Sequence, residues 1–220
     1  MRHTKDEIRA AVLETLDANP HLNEAAIRIM LTGGVSQDGT LPEGCGQLIV
    51  SVMPKPELPT AWYVEGVKVI TVPYERFLPG AKSTNYLSAV KAQQQAKAQG
   101  AIEAIYVDRG GNLLEGTTTN FFGIRHGRIV TPGADLLPGV TRRVLFELFE
   151  GEIDIAPLNY ADITCLEEAF ISASNKEIVP VTAIDDIVIG SGRVGERVSS
   201  IMQRFRAYTE AFGQGRAAEL

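Results

Sequence analysis

Short runs of β-branched and aliphatic residues, each ended by proline or glycine, constrain the fold of this chain most strongly. Three of them, at residues 26–32, 48–52 and 67–72, lie in the first third of the sequence. Runs of this length and composition, bounded by turn residues, are typical of strands. We therefore predict that the three form one antiparallel or mixed sheet with a helix packed on it.

The predicted helices alternate with further strands along the rest of the chain. The first helix begins at Thr4, because Thr4 and Glu7 can satisfy each other's backbone N–H groups, and it ends at Asn19-Pro20. Further helices are predicted at residues 86–99, 141–150 and 194–212. Further strands are predicted at residues 102–107, 120–124, 128–130, 153–156, 169–172, 178–184 and 187–189. His126-Gly127 is predicted to turn a hairpin.

A change of composition near Leu78-Pro79-Gly80 predicts a boundary between two domains. Residues 1–78 would form a small N-terminal α+β domain, and residues 79–220 a larger domain of mixed strands and helices. The expected fold class is therefore α+β with a mixed sheet in the larger domain.

Composition narrows the classes of function. The net charge is −6 and no cluster of lysine and arginine is present, which disfavours nucleic acid as a partner. Cys45 and Cys165 are far apart and have no neighbouring histidine cluster, so we expect no metal site and two buried, reduced thiols. Without a signal sequence or a long apolar run, a cytoplasmic protein with no membrane contact is expected.

Lys82 is the first candidate for chemistry. It stands between the Pro79-Gly80 breaker and the predicted start of a helix. A lysine in a crevice loses its hydration, and its amine then becomes nucleophilic near neutral pH. The alternative is an ordinary solvated lysine, and position alone does not decide between the two.

Two polar segments add an acid and an anion site. Glu115 and the small polar residues after it, up to Asn120, interrupt an apolar strand region, so their polar groups need partners unless they form a solvated turn. The segment 137–143 places Gly139 before a helix whose free N–H groups would suit a phosphate, unless Thr141 merely caps that helix. A nucleophilic amine, an acid and a phosphate cradle together point to a phosphorylated carbonyl cofactor.

Four motifs give these candidates a common context. They read KSTNYL at residues 82–87, EGTTTNF at 115–121, TP at 131–132 followed by LPGVTR at 137–142, and SASNKEIVPV at 172–181. In order and spacing they resemble the motifs of fold-type IV pyridoxal-phosphate enzymes, the class IV aminotransferases that act on branched-chain and D-amino acids. The resemblance implies a two-domain α+β fold, pyridoxal 5'-phosphate in the larger domain, and a homodimer.

The resemblance also implies roles for single residues. Lys82 would form the Schiff base with the cofactor and later shuttle the proton of the substrate Cα. Glu115 would keep the pyridine nitrogen protonated. The remaining cofactor-binding residues would be Tyr86, Leu137, Gly139, Val140, Thr141 and Ser174. Asn175, Thr32 and Gly33 would contact the substrate.

This chain departs from the family at its N-terminus. Family members carry earlier strands and an arginine for the cofactor phosphate, so we expect an incomplete small domain in which that arginine is absent or replaced by Arg76 or Arg142. Transamination between an amino acid and a 2-oxo acid is the leading function, with branched-chain substrates first and D-amino acids second. An aminodeoxychorismate lyase and a truncated, non-catalytic remnant are the alternatives.

Overall fold

A computed structural model describes residues 3–43 and 46–214. The helices are α1 (Lys5–Asp17), α2 (Ala61–Val64), α3 (Leu87–Ala98), α4 (Val140–Leu148) and α5 (Glu196–Gly213), and a 3-10 helix spans Tyr160–Cys165. Strands β1 to β12 span Ala25–Leu31, Leu48–Pro54, Val67–Pro73, Glu103–Val107, Asn112–Gly116, Asn120–Arg125, Arg128–Thr131, Ile153–Ile155, Leu158–Asn159, Glu168–Ala173, Glu177–Ile184 and Ile187–Val188. This content confirms the predicted α+β class. The chain divides into two compact units, Met1–Glu57 and Leu58–Leu220.

The first unit consists of α1 and a two-stranded sheet. Helix α1 begins with the predicted capping box, in which Thr4 Oγ1 accepts from the Glu7 N–H at 3.2 Å and Glu7 Oε2 accepts from the Thr4 N–H at 2.7 Å. Strands β1 and β2 are antiparallel and pair over their whole length. The helix packs on β2.

The second unit is built on a large mixed sheet. Its order within the described residues is β8-β7-β6-β10-β11-β3-β4-β5-β9, with β12 attached to β11. Strand β5 also pairs with β6, where Glu115 stands opposite Asn120. The six strands from β6 through β10, β11, β3 and β4 to β5 therefore close into a ring. The parallel pairs are β11 with β3, β3 with β4, and β7 with β8.

The strands of this ring are buried on both faces, which is why they read as nearly continuous apolar runs. Alternate residues pack together in one cluster that includes Val69, Ile105, Leu113, Phe121 and Val179. The intervening residues pack either against α3 or against α4 and α5. Both faces of the ring are therefore fixed by apolar contacts.

Two predictions about organisation differ from the structure. Strand β3 does not join the first two strands, because it lies between β11 and β4 in the large sheet. This pairing ties residues 58–78 to the later part of the chain. The division between compact units accordingly falls after Glu57, whereas the predicted boundary fell after Leu78.

Smaller expectations had mixed outcomes. The hairpin turn at His126-Gly127 is confirmed, with φ of 51° and 71° at its two residues. The expectation that Cys165 is buried is wrong, because it lies exposed at the end of the 3-10 helix. Cys45 lies outside the described residues. Helix α2, strand β9 and the 3-10 helix were not predicted.

Candidate active site

Glu115 is the fourth residue of β5, and its side chain is almost completely buried, with 2% exposure. The Leu137 N–H donates to its Oε2 at 3.0 Å, and Arg76 Nε lies 2.8 Å from its Oε1. Burial raises the pKa of Glu115 above its ordinary value, while the Leu137 N–H, Arg76 and Lys82 act in the opposite direction. The site therefore has an acid whose charge depends on its neighbours.

One oxygen of this acid is open to a further donor. Arg76 Nε and Glu115 Oε1 are close enough for an ion pair, yet neither atom makes an aligned hydrogen bond within the described residues. We treat the contact as an ion pair, because distance sets its strength whereas a hydrogen bond also requires direction. The ion pair leaves the second lone pair of Oε1 available to a ligand that donates to it.

Arg76 has two further contacts besides its ion pair with Glu115. Its Nη2 donates to Thr117 O at 2.7 Å, and its guanidinium carbon lies 5.4 Å from the centre of the Tyr106 ring. Together with the ion pair to Glu115, these contacts fix the arginine between β5 and the loop that follows it. Arg76, which the sequence suggested for the phosphate, is therefore the partner of Glu115 in the structure.

Arg142 is engaged in a similar way. Its Nη2 donates to Pro132 O at 2.8 Å, and its guanidinium carbon lies 4.7 Å from the centre of the Phe146 ring. Burial lowers the pKa of Arg142. Its buried Nε has no hydrogen-bond partner within the described residues, so this nitrogen is free to donate to a ligand.

The start of α4 is open to an anion. Gly139 is the N-cap residue and supplies no side-chain hydrogen bond, and Thr141 lies in the first turn with 5% exposure. The alternative that Thr141 caps this helix is therefore wrong. The first N–H groups of a helix have no partners inside the helix, so this end offers donors and the positive end of the helix dipole.

Asn120 connects the start of α4 to Glu115. Its Nδ2 donates to Leu137 O at 2.8 Å, and a Cβ on Gly139 would lie 2.2 Å from its Oδ1. Only glycine fits at position 139 while Asn120 keeps this place. The Leu137 N–H donates to Glu115, and the Leu137 carbonyl accepts from Asn120. Leu137 therefore connects Glu115 and Asn120, which stand opposite each other where the ring of strands closes.

The loop of residues 116–119 hydrogen-bonds to a second buried carboxylate, that of Glu103. Glu103 is completely buried. Its Oε1 accepts from the N–H and hydroxyl of Thr117, and its Oε2 accepts from the N–H and hydroxyl of Thr118 and from the Thr119 hydroxyl, at distances between 2.5 and 3.3 Å. Gln93 Nε2 also donates to Oε1 at 2.5 Å. The alternative of a solvated turn is therefore wrong.

Glu103 was missed by the sequence analysis, although a signal for it exists. It is the only charged residue in the otherwise apolar run of residues 101–107. A lone acid in such a run is seldom buried without partners. The predicted need of the loop for polar partners is met, within the described residues, by this glutamate rather than by a ligand.

Lys82 lies exposed in the segment between β3 and α3. Its charge is near enough to Glu115 to lower the pKa of that carboxyl. The backbone bends sharply before it, where the Ala81 N–H donates to Leu78 O at 2.9 Å. Tyr86, at 46% exposure, directly precedes α3. The structure thus brings the predicted amine and the predicted acid into one region.

The turn between β10 and β11 carries Ser174 and Asn175, both exposed. Ser172, at the end of β10, stands opposite Asn120 in the adjacent strand. Its buried Oγ has no hydrogen-bond partner within the described residues. Asn120 in turn bonds to Leu137, just before α4, so the β10–β11 turn lies near the start of that helix.

Thr32 and Gly33 follow β1 in the first compact unit. Thr32 Oγ1 accepts from the Gln47 N–H at 3.1 Å. A Cβ on Gly33 would lie 2.6 Å from the Pro42 ring, so the glycine permits a close approach of two chain segments. Their role in substrate binding stays a prediction.

These groups fit a flat, phosphorylated ring with a basic nitrogen. The open oxygen of Glu115 suits a ring N–H, the start of α4 suits a phosphate, and the buried Ser172 hydroxyl lacks a partner. Within the described residues, no group of three or more histidine, cysteine or acidic residues could hold a metal ion. No helix in the described part of the chain is long and apolar enough to cross a bilayer.

The sequence matches the family model described as amino-transferase class IV over residues 1–184. The chain belongs to the class IV aminotransferases. It is 36% identical to a Methanocaldococcus jannaschii protein with the provisional name branched-chain-amino-acid aminotransferase, over 96% of this chain and 76% of that protein. It is 30% identical to the D-alanine aminotransferase of Listeria monocytogenes, over 92% and 73% of the two chains.

A solved structure extends this likeness to the fold. The branched-chain amino acid aminotransferase of Escherichia coli is 25% identical to this chain, with a TM-score of 0.83 over 98% of this chain and 74% of that one. The predicted fold type and the predicted enzyme class, a pyridoxal-phosphate-dependent aminotransferase, are thereby confirmed.

The buried Glu103 generates a stability prediction. Glu103→Gln replaces one acceptor oxygen with an amide N–H₂ that faces donors of the loop, so we expect a loss of about 2–4 kcal/mol in the free energy of unfolding. Urea denaturation at neutral pH measures it. Glu210→Gln, at an exposed position of α5, is the matched control and should change stability by less than about 0.5 kcal/mol. Equal unfolding midpoints for the two variants would contradict the account of this loop.

Proposed function

We propose that this chain binds pyridoxal 5'-phosphate on Lys82 and exchanges amino groups between a branched-chain amino acid and a 2-oxo acid, with D-amino acids as the second choice of donor. The family supports the reaction type. The observation that carries the site is the buried Glu115, whose Oε1 is open to a donor in the region that Lys82 influences.

Glu115 is the proposed partner of the cofactor ring nitrogen, and its burial makes this contact strong. When bound, the cofactor supplies an electron sink that stabilises negative charge at the substrate Cα. Glu115 would accept the ring N–H on the second lone pair of Oε1 and so would keep the ring nitrogen protonated. Arg76 and the Leu137 N–H favour the charged carboxylate, which burial alone would oppose.

The start of α4 holds the phosphate in this proposal. Val140 and Thr141 would present backbone N–H groups, and the Thr141 hydroxyl would add a further donor, whereas the Gly139 N–H already donates to Leu137 O at 2.8 Å. An anion is favoured there because the helix dipole and the free N–H groups act together. Ser174, on the turn after β10, contributes a hydroxyl from the other side.

Lys82 attaches the cofactor and moves the proton. Its amine would hold the cofactor covalently, and the same amine, when free, would take the proton that leaves the substrate Cα. Tyr86 and Leu137 would flank the ring, and Asn175 would bind the substrate carboxylate.

The preference for branched-chain donors rests on the relatives. The Methanocaldococcus protein, with its provisional branched-chain name, is more similar in sequence than the Listeria D-alanine enzyme. A homodimer is proposed on the resemblance of the motifs alone. Pyruvate release from aminodeoxychorismate and absence of catalysis are alternatives that the experiments below separate.

Lys82→Ala tests the point of attachment. The wild-type chain incubated with pyridoxal phosphate and then borohydride should carry the cofactor covalently on the peptide that contains residue 82, as seen by mass spectrometry. Lys82→Ala should carry none, because the imine that borohydride reduces requires that amine. Lys97→Ala, an exposed lysine near the end of α3, should label like the wild type. Labelling of another lysine in the wild type would refute the assignment.

A scan of amino donors tests the reaction. With 2-oxoglutarate or pyruvate as acceptor, L-leucine, L-isoleucine and L-valine should react faster than D-alanine, and without an acceptor no more than one equivalent of 2-oxo acid per bound cofactor should form. Faster turnover of D-alanine would reverse the order of donors. Pyruvate from aminodeoxychorismate without an acceptor would identify a lyase. A labelled but inactive chain would identify the non-catalytic remnant.

A further inference from the structure

A second lysine reaches the loop that follows Glu115. Lys176 is the last residue of the turn between β10 and β11, and it is partly exposed. Its Nζ donates to Thr118 Oγ1 at 2.9 Å. Neither the motifs nor the proposed function gives this lysine a role.

Both ends of Lys176 are fixed by the surrounding structure. The Tyr63 hydroxyl donates to Lys176 O at 3.0 Å, and the Lys176 N–H donates to Ala173 O at 3.2 Å. At the far end, Thr118 Oγ1 donates to Glu103 Oε2 at 2.8 Å. Because the Thr118 hydroxyl donates its proton to Glu103, it can only accept from the Lys176 ammonium group. This contact places the positive charge of Lys176 beside the loop.

The charge of Lys176 is not matched by an acid. Within the described residues it makes no salt bridge. The neighbouring Glu177 is paired with Arg206, whose Nε lies 3.0 Å from its Oε2. An ammonium group has three donors, and the one described acceptor here is a neutral hydroxyl.

Lys176 also joins the turn that carries Asn175, which the proposed function places at the substrate carboxylate, to the loop that follows Glu115. Ser174 and Asn175 precede it in the turn, and Thr118 lies three residues after Glu115. Both substrates of an aminotransferase, the amino acid and the 2-oxo acid, carry a carboxylate. An ammonium group held in this position can accept that carboxylate in a charge-assisted hydrogen bond.

We propose that Lys176, positioned by Thr118, binds the carboxylate that the amino acid and the 2-oxo acid share. The inference deepens the proposed function and rests on it. A purely structural role is the competing explanation, in which Lys176 only joins the turn to the loop. That role would affect stability but would not distinguish a charged ligand from a neutral one.

Equilibrium binding of an unreactive acid tests the proposal. The full chain loaded with pyridoxal phosphate is titrated with 4-methylvaleric acid and with its neutral amide, and binding is followed by calorimetry. Lys176→Met should bind the acid about tenfold more weakly, because a hydrogen bond to a charged group is lost, and should bind the amide as the wild type does. Lys176→Arg should restore most of the affinity for the acid.

Lys97→Met is the matched control for loss of one positive charge and should bind both compounds normally. In steady-state assays, Lys176→Met should raise KM for the amino acid and the 2-oxo acid much more than it lowers kcat. Equal weakening of acid and amide binding, or unchanged binding of the acid, would overturn the assignment.

Failure of the underlying function has a different signature. If the wild-type chain acquires no borohydride-reducible cofactor, the proposed function fails, and the assignment of Lys176 fails with it. If the wild type and Lys176→Met load equally and bind the acid equally, only the assignment of Lys176 fails.

Discussion

The burial of Glu115 at the point where the ring of strands closes is the constraint on which the site depends. A carboxylate removed from water needs a positive partner and directed donors, and loss of one partner of a buried pair costs about 3–5 kcal/mol. Here Arg76 supplies the charge and the Leu137 N–H supplies the donor. Because Leu137 O in turn accepts from Asn120, the requirement of one acid fixes the turn that leads into α4.

A second buried acid stabilises the connection between Glu115 and Asn120. Glu103 accepts from all three threonines of the intervening loop, and the carbonyl of Thr117 accepts from Arg76. Glu103 thus fixes the loop, and the Thr117 carbonyl of the loop helps to position the arginine that pairs with Glu115. Replacing a buried ion pair by apolar residues of similar size is often neutral or stabilising, so the pair of Glu115 with Arg76 is weak evidence for a role in stability.

The sequence predicted the local elements of the molecule better than their partners. The capping box of α1, the hairpin at His126 and the position of α4 follow from neighbouring residues, and all are present. The place of β3 was not predictable in the same way, because a β-branched run has the same pattern beside any strand. Its burial between β11 and β4 depends on distant pairings, of Val67 with Val181 and of Val69 with Glu103.

The same distinction applies to the site. The motifs around Lys82, Glu115 and Gly139 indicated a cofactor, and the structure adds that Leu137 and Asn120 connect the acid to the helix end. Arg76, suggested for the phosphate, instead pairs with Glu115. Contacts such as this one join distant residues through space, and no pattern in one sequence reveals them.

A crystal structure of the chain with bound pyridoxal phosphate tests the central claim most directly. The account predicts the ring nitrogen within about 2.7–3.2 Å of Glu115 Oε1, the usual range for such a hydrogen bond. It also predicts the phosphate at the first turn of α4 and the aldehyde carbon joined to Lys82. A ring nitrogen turned away from Glu115, or a phosphate bound elsewhere, would contradict the claim that this buried acid is the centre of the site.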